Sequence, residues 1–476
     1  MEGNKVNAKI FFGSIESVKE NISDRVSPYS GEVVSTAPVC NEHDVHKALE
    51  IAKAACAEAK KSTLSQRCNW LLDVASKLKE NREDIARTIT DEVGKPITFA
   101  RVEVDRCIET VTLSAETMRT MHGETINTDA MASGKKTTYF FVREPAGVVV
   151  AITPFNFPLN LVAHQLAPAL VAGNTVVLKP TPEAPLTAYK FAKLFIESKY
   201  AVKDALSVVY GDAEVGNALI TSNIPRVISF TGSVPVGNII TKNAGIKKVS
   251  LELGGNAATY IDKSADLDLA AARCALGAFV NSGQVCISLQ RIYVNADIYD
   301  EFAAKMASET KKLKVGSPYE DDTFMGPLID DDAAERAMKW IESAIEEGAS
   351  PLLTPKHEGR MFYPCVMVDV RDDMAIVCQE VFAPIVSLIK VDSFDDALPR
   401  INNSPYGLQF SVFTNDLSVT QRAISELEAG GIVINDMPTL RFDIQPYGGV
   451  KLSGVGREGP KFAIEEMTEI KSVIIC

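Results

Sequence analysis

Short β-branched runs alternate with amphipathic stretches from Ala146 onward, and this alternation constrains the chain more than any other feature. The runs are AGVVVAI, TVVLK, LSVVY, RVISF and KKVSL. Helical spacing fills the intervals Leu159–Val171, Ala188–Ser198, Ala213–Thr221 and Val234–Asn243. Such alternation predicts βαβ units and a parallel sheet that is buried on both faces. Sheets of this kind bind ligands beyond the carboxyl ends of their strands.

Other segments differ in texture. The pattern between Ala48 and Met121 is helical, whereas Gly123–Tyr139 is polar and rich in small residues. A second set of predicted strands follows Asn256, with the sequences ISLQRIYV, FYPCVMVDV, PIVSLIKV and GIVIND. The chain ends on the apolar run TEIKSVII, whose free edge needs a covering partner. A length of 476 residues is sufficient for two or three domains.

Composition limits the classes of partner. The formal net charge is -13, so we expect no nucleic-acid partner, because an acidic surface repels a phosphate backbone. An anionic substrate would have to meet a local basic pocket. Five histidines and no CxxC pair argue against a metal site.

The expected compartment is the cytoplasm. Nine scattered cysteines form no disulfide framework and fit reducing conditions. The N-terminal sequence MEGNKVNAKIFFGS has no apolar core of signal-peptide type. The longest uncharged stretch, Pro145–Leu178, contains internal prolines together with Asn156 and His164, which disfavour a membrane helix. We therefore expect no membrane partner.

Cys286 is the candidate nucleophile. It follows the small-residue loop of NSGQVCISLQ and precedes a strong β run, so a ligand can reach it at the entrance of a strand. The thiolate is the reactive form, and we therefore expect the pKa of this thiol to lie below its free value of about 8.5. We interpret the remaining cysteines as small packing residues. They are Cys40, Cys56, Cys68, Cys107, Cys274, Cys365, Cys378 and Cys476.

Two further polar residues follow predicted strands. Glu252 precedes Gly254 and Gly255, and a carboxylate at a strand end beside a nucleophile can act as a general base. Asn156 lies between two prolines after AGVVVAI. Prolines restrict that loop, and a fixed amide N–H can bind a developing oxyanion. Each pattern alone also fits an ordinary turn residue.

Features of a nucleotide site occur in the same array, although no GxGxxG motif is present. The strand RVISF leads into Thr231, Gly232 and Ser233, and a turn at a helix N-terminus presents free N–H groups to a pyrophosphate. Gly211 follows LSVVY in a similar position. Lys179 ends TVVLK, where its ammonium group can reach a ribose or a phosphate.

Together these segments resemble the aldehyde dehydrogenase superfamily. The motifs PFNFP, LKP, FTGS, ELGG, GQVC, EVFAP and GGVKLSGVGREG occur in the order of that family, within a match from Val26 to the C-terminus. The resemblance implies an α/β fold with a Rossmann-type parallel-sheet cofactor domain, an α/β catalytic domain and a small β oligomerisation extension. The cofactor domain is expected at 1–122 and 145–255 and the catalytic domain at 256–440. The extension is expected at 123–144 and 467–476, with a returning tail, 441–466, packed at the active site.

The resemblance also implies a chemical role for each candidate. Cys286 forms a thiohemiacetal and then a thioester, and Asn156 binds the oxyanion together with the backbone N–H of Cys286. Glu252 activates the water that hydrolyses the thioester. NAD or NADP is the implied cofactor, and a homo-oligomer, dimer or tetramer, is expected. The implied cofactor contacts are Lys179, Ser233, Glu380, Phe382, Pro154, Phe155, Gly232, Gly211 and Gly254.

One departure from the family pattern concerns the cofactor. Members that prefer NAD often carry a glutamate three residues after the strand-end lysine, where it binds the adenosine 2′-hydroxyl. This chain has Pro182 there, and Glu183 comes one residue later. The missing carboxylate removes a repulsion against a 2′-phosphate, so the choice between NAD and NADP stays open.

The substrate is expected to be a small hydroxylated or anionic aldehyde. GQVCIS, FNFPLNLVAHQLAPA and TLRFDIQPYGGVK are similar to the branch of lactaldehyde dehydrogenases and non-phosphorylating glyceraldehyde-3-phosphate dehydrogenases. Val285 replaces an arginine that grips a phosphate in some relatives, so lactaldehyde ranks first. Glyceraldehyde 3-phosphate, succinate semialdehyde and phosphono- or sulfo-aldehydes are the alternatives. Arg441, Arg101 and His164 are the candidate substrate contacts, although Arg101 also fits a solvated helix face.

Two competing classes have to be weighed. A CoA-acylating enzyme could use the same fold, but a base such as Glu252 favours hydrolysis. A non-enzymatic member of the superfamily would not need Cys286, Glu252 and Asn156 intact.

Overall fold

The computed structural model describes residues 7–475. The first six residues of the expected cofactor domain, and Cys476 at the end of the expected extension, lie outside this range. So does part of the N-terminal sequence that was considered as a leader.

Within the described residues, strands and helices are numbered here in chain order. The first strands are β1 Ile10–Phe12, β2 Ile15–Ser17, β3 Ile22–Val26, β4 Val33–Pro38, β5 Glu124–Thr125, β6 Thr138–Pro145, β7 Val148–Ile152, β8 Thr175–Lys179, β9 Leu206–Val208, β10 Val227–Thr231, β11 Lys248–Glu252 and β12 Ala257–Ile261. The later strands are β13 Leu289–Asn295, β14 Ser350–Pro351, β15 His357–Glu358, β16 Met361–Phe362, β17 Cys365–Val368, β18 Ile385–Val391, β19 Tyr406–Gly407, β20 Gln409–Phe413, β21 Gly431–Ile434, β22 Val450–Lys451, β23 Gly454–Val455 and β24 Thr468–Ile475.

The α-helices divide between the two halves of the chain in the same way. Those of the first half are α1 Glu42–Lys61, α2 Leu64–Glu80, α3 Arg82–Val93, α4 Ile97–Thr120, α5 Asn160–Val171, α6 Pro185–Ile196, α7 Ala213–Thr221 and α8 Val234–Asn243. Those of the second half are α9 Leu267–Phe279, α10 Tyr299–Lys311, α11 Asp331–Glu346, α12 Ala375–Cys378, α13 Phe394–Asn402, α14 Leu417–Glu426 and α15 Pro460–Glu466.

The first large sheet has the order β2-β1-β9-β8-β7-β10-β11-β23. Its strands β7 to β11 are mutually parallel, which confirms the predicted βαβ array. They read as continuous apolar runs because helices cover both faces. From β7 the chain builds outward through β8 and β9, then returns to the other side of β7 for β10 and β11. This reversal opens a crevice between β7 and β10 at their carboxyl ends.

The second large sheet has the order β14-β17-β18-β13-β12-β20-β21, and only β14 runs antiparallel to its neighbour. Its buried strands pack against helices on both faces, in two hydrophobic clusters. The α/β fold expected from the sequence is therefore confirmed. The exact domain limits stay a prediction.

A small antiparallel sheet of order β24-β6-β5 projects from this body. In it, the C-terminal strand pairs along its whole length with β6, from Thr468 opposite Pro145 to Ile475 opposite Thr138. One edge of the terminal strand is thus covered by the same chain, and among residues 7–475 no strand pairs with its other edge. Ile470 and Ile474 on this strand are exposed.

The tail that follows β21 returns to the first sheet. Its strand β23 pairs with β11, and Gly454 lies opposite Glu252. This pairing holds the tail beside the carboxyl end of β11. No helix in the described part of the chain has the length and hydropathy that crossing a membrane would require.

Candidate active site

A cavity of about 390 Å³ lies beyond the carboxyl ends of β7, β10 and β11, at the crevice of the first sheet. The residues expected from the sequence that line it are Pro154, Phe155, Asn156, Gly232, Ser233, Glu252, Gly254, Cys286, Glu380, Phe382 and Arg441. Its other lining residues are Leu161, Thr231, Leu253, Arg336, Tyr447 and Glu458. Concave sites with apolar walls and a few convergent polar groups are typical of small-molecule binding.

The loop before Cys286 has an unusual backbone. Asn281, Ser282 and Gly283 all have left-handed conformations, with φ of 51°, 57° and 73°. Such conformations are strained for the first two residues. The Ser282 hydroxyl donates to the Gly326 carbonyl at 2.8 Å and anchors the loop. A Cβ at Gly283 would overlap the carbonyl group of Ala383, so glycine is required there.

The Cys286 thiol faces the cavity and lies 3.1 Å from the Tyr447 hydroxyl oxygen. The expectation that its pKa lies below the free value is wrong for this arrangement. Burial raises the pKa of the Cys286 thiol to about 12, although the Tyr447 hydrogen bond and the Arg441 charge lower it in part. Removing water around sulfur penalises the charged thiolate more than these groups compensate.

The Glu252 carboxyl group is buried at the end of β11. Neither of its oxygens has a hydrogen-bond partner within the described residues. Burial raises the pKa of this carboxyl well above its usual range; nearby Glu458 raises it further, and Arg441 lowers it in part. Glu252 therefore carries its proton at neutral pH.

Gly254 and Gly255 bring three segments into contact. A Cβ at Gly254 would overlap the Glu380 carboxylate, and a Cβ at Gly255 would overlap the Cys286 carbonyl oxygen. The Gly255 N–H also donates to Glu380 Oε1 at 3.0 Å. Burial raises the pKa of Glu380 to about 7, against the lowering by the Gly255 N–H and by Arg336. The two glycines in ELGGN thus allow the approach of the nucleophile loop and of Glu380.

The Asn156 side chain is fixed by its own surroundings. Its Nδ2 donates to the Gln284 carbonyl at 3.1 Å, and its Oδ1 accepts from the Phe157 N–H at 3.1 Å. One hydrogen of the amide remains for a ligand. The backbone N–H of Cys286 takes part in no hydrogen bond with residues 7–475. Two donors are thus available beside the thiol.

A buried ion pair supports the loop that carries Asn156. Lys95 and Glu103 are fully buried and bonded to each other. The Glu103 Oε1 atom also accepts from the backbone N–H groups of Leu159 at 2.9 Å and Asn160 at 3.1 Å. The Lys95 ammonium lies 3.9 Å from the centre of the Phe157 ring, a cation–π contact. The loop is therefore held from below on both sides.

Arg441 lines the cavity and is matched by a carboxylate. Its Nη2 donates to Glu458 Oε2 at 2.8 Å, and its guanidinium lies 3.8 Å from the centre of the Tyr447 ring. Its Nε is buried and has no partner within the described residues. Arg441 therefore retains an unused donor, although its charge is largely balanced.

His164 does not line the cavity, contrary to its expected substrate contact. It is buried in α5, and its Nε2 lies 2.9 Å from Asp443 Oδ1. Asp443 also accepts a bidentate pair from Arg106 at 2.9 and 2.7 Å. These contacts hold the pKa of Asp443 well below its usual range despite burial. His164 thus packs behind Arg441, with Nε2 3.2 Å from the Arg441 Nη2 atom.

Arg101 lies outside the cavity as well. It projects from α4 and donates to Glu83 at 3.0 Å and to Asp321 at 2.6 Å. Its placement matches the solvated helix face that the sequence left open. Helical spacing cannot separate an exposed face from one that borders a site, because both carry charged residues.

The opposite end of the cavity has fewer internal contacts. Ser233 is the N-cap of α8 but makes no capping hydrogen bond with its side chain. A Cβ at Gly232 would come within 2.5 Å of the Phe230 ring. Phe382, with a left-handed φ of 50°, packs edge-to-face on Phe155 at 6.0 Å between ring centres. Aromatic rings and a free helix N-terminus thus form this wall.

Lys179 and Gly211 lie next to this end, not in the main cavity. Lys179 is buried at the end of β8, and among residues 7–475 no carboxylate oxygen comes within 4 Å of its Nζ. Burial lowers the pKa of Lys179, and Glu183 and Asp212 oppose this in part. Gly211 lines a second cavity of about 200 Å³ together with Pro182 and Glu183.

Comparison with known proteins decides the family, because the profile of the aldehyde dehydrogenase family matches residues 15–473. The chain belongs to the aldehyde dehydrogenase family. The 3-sulfolactaldehyde dehydrogenase of Priestia aryabhattai is 42% identical over 466 residues, which cover 97% of this chain and 96% of the relative. The lactaldehyde dehydrogenase of Methanococcus aeolicus is 41% identical over 454 residues, which cover 94% and 96%.

Solved structures agree on the fold. The crystal structure of glyceraldehyde-3-phosphate dehydrogenase from Methanocaldococcus jannaschii, complexed with NADP, has a TM-score of 0.92 and 38% sequence identity. The match covers 96% of this chain and 100% of that chain. This protein is thus an NAD(P)-dependent aldehyde dehydrogenase that acts on small aldehydes.

The residues present fit a nicotinamide dinucleotide. Lys179 is a buried cation without a carboxylate within 4 Å in the described structure, and buried ammonium groups need a polar or charged partner. The α8 N-terminus offers N–H groups beside Gly232. Among residues 7–475, no group of three or more His, Cys, Asp or Glu side chains is arranged to hold a metal ion.

Sequence reasoning missed three polar lining residues of this aldehyde dehydrogenase. Tyr447 and Glu458 lie in QPYGGVKLSGVGREG, a segment that was noted only for its glycines. A buried tyrosine in that segment was the available signal, because such a hydroxyl needs a partner. Arg336, on α11, had no signal in the sequence, since α11 is an ordinary amphipathic helix.

Proposed function

We propose that this aldehyde dehydrogenase oxidises a short 2-hydroxyaldehyde of the lactaldehyde type to its carboxylate. The observation that carries the proposal is Arg441, whose unpaired Nε donor lies in the wall of a cavity of about 390 Å³ beside Cys286. Anionic aldehydes of similar size are the alternatives. A hydroxyl at C2 or an acidic group at C3 would satisfy the free donor, whereas a hydrocarbon chain would leave it unpaired.

The reaction would begin at the thiol. Cys286 as the thiolate attacks the aldehyde carbon, and a thiohemiacetal forms with its oxygen facing Asn156 Nδ2 and the Cys286 N–H. Both donors are fixed before substrate arrives, which is what oxyanion stabilisation requires. The nicotinamide cofactor, when bound, accepts the aldehyde hydrogen as hydride.

Hydrolysis of the resulting thioester would depend on Glu252. After losing its proton, this carboxylate takes a proton from water as the water attacks the thioester carbon. Cys286 leaves as the thiolate, and the carboxylic acid is released. The raised pKa of Glu252 suits a group that must both accept and return a proton near neutral pH.

Substrate ranking tests the proposal. The values of kcat/KM are compared for lactaldehyde, 3-sulfolactaldehyde, glyceraldehyde 3-phosphate, succinate semialdehyde and hexanal, each with NAD and with NADP. We expect lactaldehyde to lead and hexanal to be last. Arg441→Ala should lower kcat/KM for the polar aldehydes about tenfold and leave hexanal nearly unchanged.

Arg101→Ala is the matched control, because this arginine is bound to carboxylates outside the cavity. A wild type that prefers hexanal, or an Arg441→Ala variant that loses all substrates equally, would disprove the assignment. Leadership by one of the anionic aldehydes would keep the site but change the substrate class.

We further propose a cytoplasmic homo-oligomer, dimer or tetramer, assembled in part through β24 and the segment 123–144. The exposed Ile470 and Ile474 on a strand with one unpaired edge support this, since such an edge readily pairs with another chain. The eight cysteines of residues 7–475 are all free, which suits a reducing compartment. A monomer by light scattering at micromolar concentration would contradict the assembly.

A further inference from the structure

Tyr447 is the polar side chain that contacts the thiol of Cys286. Its hydroxyl oxygen lies 3.1 Å from Sγ, and within the described residues it makes no other hydrogen bond. Both groups are buried, and Tyr447 is 4% exposed. The surroundings of this contact are apolar, since Val285, Ile287 and Leu408 pack around the pair. A hydroxyl in such a place is dedicated to its single partner.

From this contact we propose that Tyr447 is a catalytic residue that donates a hydrogen bond to the Cys286 thiolate and thereby makes the thiolate accessible. This deepens the proposed function, because it rests on Cys286 as the nucleophile. In the neutral pair either atom can donate. Once Sγ has lost its proton to solvent, only the tyrosine can donate, and the bond becomes charge-assisted. Tyr447 keeps its own proton throughout.

Arg441 strengthens the donor from the other side. Its guanidinium lies 3.8 Å from the centre of the Tyr447 ring. A cation over the ring face withdraws electron density and polarises the hydroxyl toward sulfur. Glu458 fixes the guanidinium by accepting from Nη2 at 2.8 Å. The sequence of contacts Glu458, Arg441, Tyr447, Cys286 thus ends on the reacting atom.

The other charged groups around the thiol act in opposite directions. Arg441 favours the thiolate, whereas Glu380 and Glu252, when ionised, disfavour it. Glu458 neutralises much of the Arg441 charge. Without the Tyr447 hydrogen bond the thiolate would therefore be left in an apolar site with two acidic neighbours.

Alkylation of Cys286 as a function of pH tests the proposal without using any substrate. Iodoacetamide modification of the Cys286 peptide is followed by mass spectrometry, which separates it from the other cysteines. For Tyr447→Phe we expect the midpoint of the profile to rise by about one pH unit, or alkylation to be about tenfold slower below both midpoints. Tyr260→Phe, which removes a buried hydroxyl bonded to Asp262, is the control and should leave the profile unchanged.

A second measurement separates the hydrogen bond from a packing effect. Replacing all tyrosines by 3-fluorotyrosine makes the phenols stronger donors, so the midpoint should fall in the wild type but not in Tyr447→Phe. An unchanged midpoint in Tyr447→Phe, or the same shift in Tyr260→Phe, would overturn the role of Tyr447. If instead Cys286→Ala remained active, the proposed function would fail, while the alkylation profile would still report on Tyr447.

Discussion

The two ends of the main cavity differ in how far their polar groups are already bound. At the thiol end, Asn156 is bonded to its neighbours, Arg441 is paired with Glu458, and Cys286 contacts Tyr447. At the other end, Ser233 makes no capping bond and Lys179 has no carboxylate within 4 Å among the described residues.

The difference teaches where each part of the function would be prepared. A reaction is accelerated by donors that need no reorganisation when charge develops, and such donors are fixed in advance at the thiol end. A binding wall must give up contacts with water and gain contacts with the ligand, which is easier when it makes few internal bonds. Changes at the first end should therefore lower turnover, and changes at the second end should lower cofactor affinity.

Removal of the thiol should have the largest effect. Cys286→Ala is expected to lower turnover by at least about a thousandfold, because no other group can form the thioester. The dissociation constant of NAD(P), measured by fluorescence titration, should change less than about twofold. A variant that keeps about a hundredth of wild-type turnover would require another nucleophile.

Glu252→Gln should separate the two halves of the reaction. Because the amide cannot accept a proton from water, we expect steady-state turnover to fall by about a hundredfold. Stopped-flow absorbance should still record a rapid burst of NAD(P)H, followed by a slow phase as the thioester accumulates. Disappearance of the burst would assign Glu252 to the acylation step or to the structure of the cavity.

At the other end of the cavity, Gly254→Ala should weaken cofactor binding. The new Cβ would overlap the Glu380 carboxylate and push it from its place. We expect the dissociation constant to rise by about tenfold, with a smaller effect on the rate of acylation. Gly316→Ala is the control, since a Cβ there meets its nearest atom at 3.4 Å and the backbone is unstrained. Equal losses in both variants would contradict the division between the ends.

The pH dependence of cofactor binding should reflect Glu380. Burial raises its pKa to about 7, so the group is protonated below that pH and ionised above it. A carboxylate accepts hydrogen bonds from ribose hydroxyls better than a carboxylic acid does. Cofactor affinity should therefore increase several-fold as pH rises through about 7, and Glu380→Gln should abolish the dependence. A dependence that survives in Glu380→Gln would belong to another group.

The smallest effect is expected for Arg101→Ala. Its guanidinium is bound to two carboxylates on the surface of α4, outside the cavity, and exposed ion pairs contribute little. Both kcat/KM and the melting temperature should stay close to those of the wild type. A tenfold loss of kcat/KM would return Arg101 to the substrate site.

The sequence predicted the parallel strands and their order of use well, because a strand buried on both faces leaves a continuous apolar run. It located the start of α6 three residues late, at Ala188. Pro185, which begins that helix, has a ring that fixes φ at a helical value. The site residues at strand ends were also predictable, since the carboxyl ends of parallel strands share one edge of the sheet.

Contacts between distant residues were not predictable. Cys286 and Tyr447 are 161 residues apart, and neither sequence context indicates the other. The thiol's pKa was predicted in the wrong direction, because the balance between burial and nearby charges depends on packing. The pair Lys95 and Glu103, eight residues apart on neighbouring segments, resembles any surface pair in the sequence. Its burial becomes evident only in the fold.

The thiol's high pKa has a consequence for the lifetime of the protein. Peroxides oxidise the thiolate, and the susceptibility of a cysteine follows its thiolate fraction and its exposure. With a pKa of about 12, Cys286 is almost entirely neutral at physiological pH. The same burial that makes activation costly therefore shields the residue from sulfenic and sulfinic acid formation between turnovers.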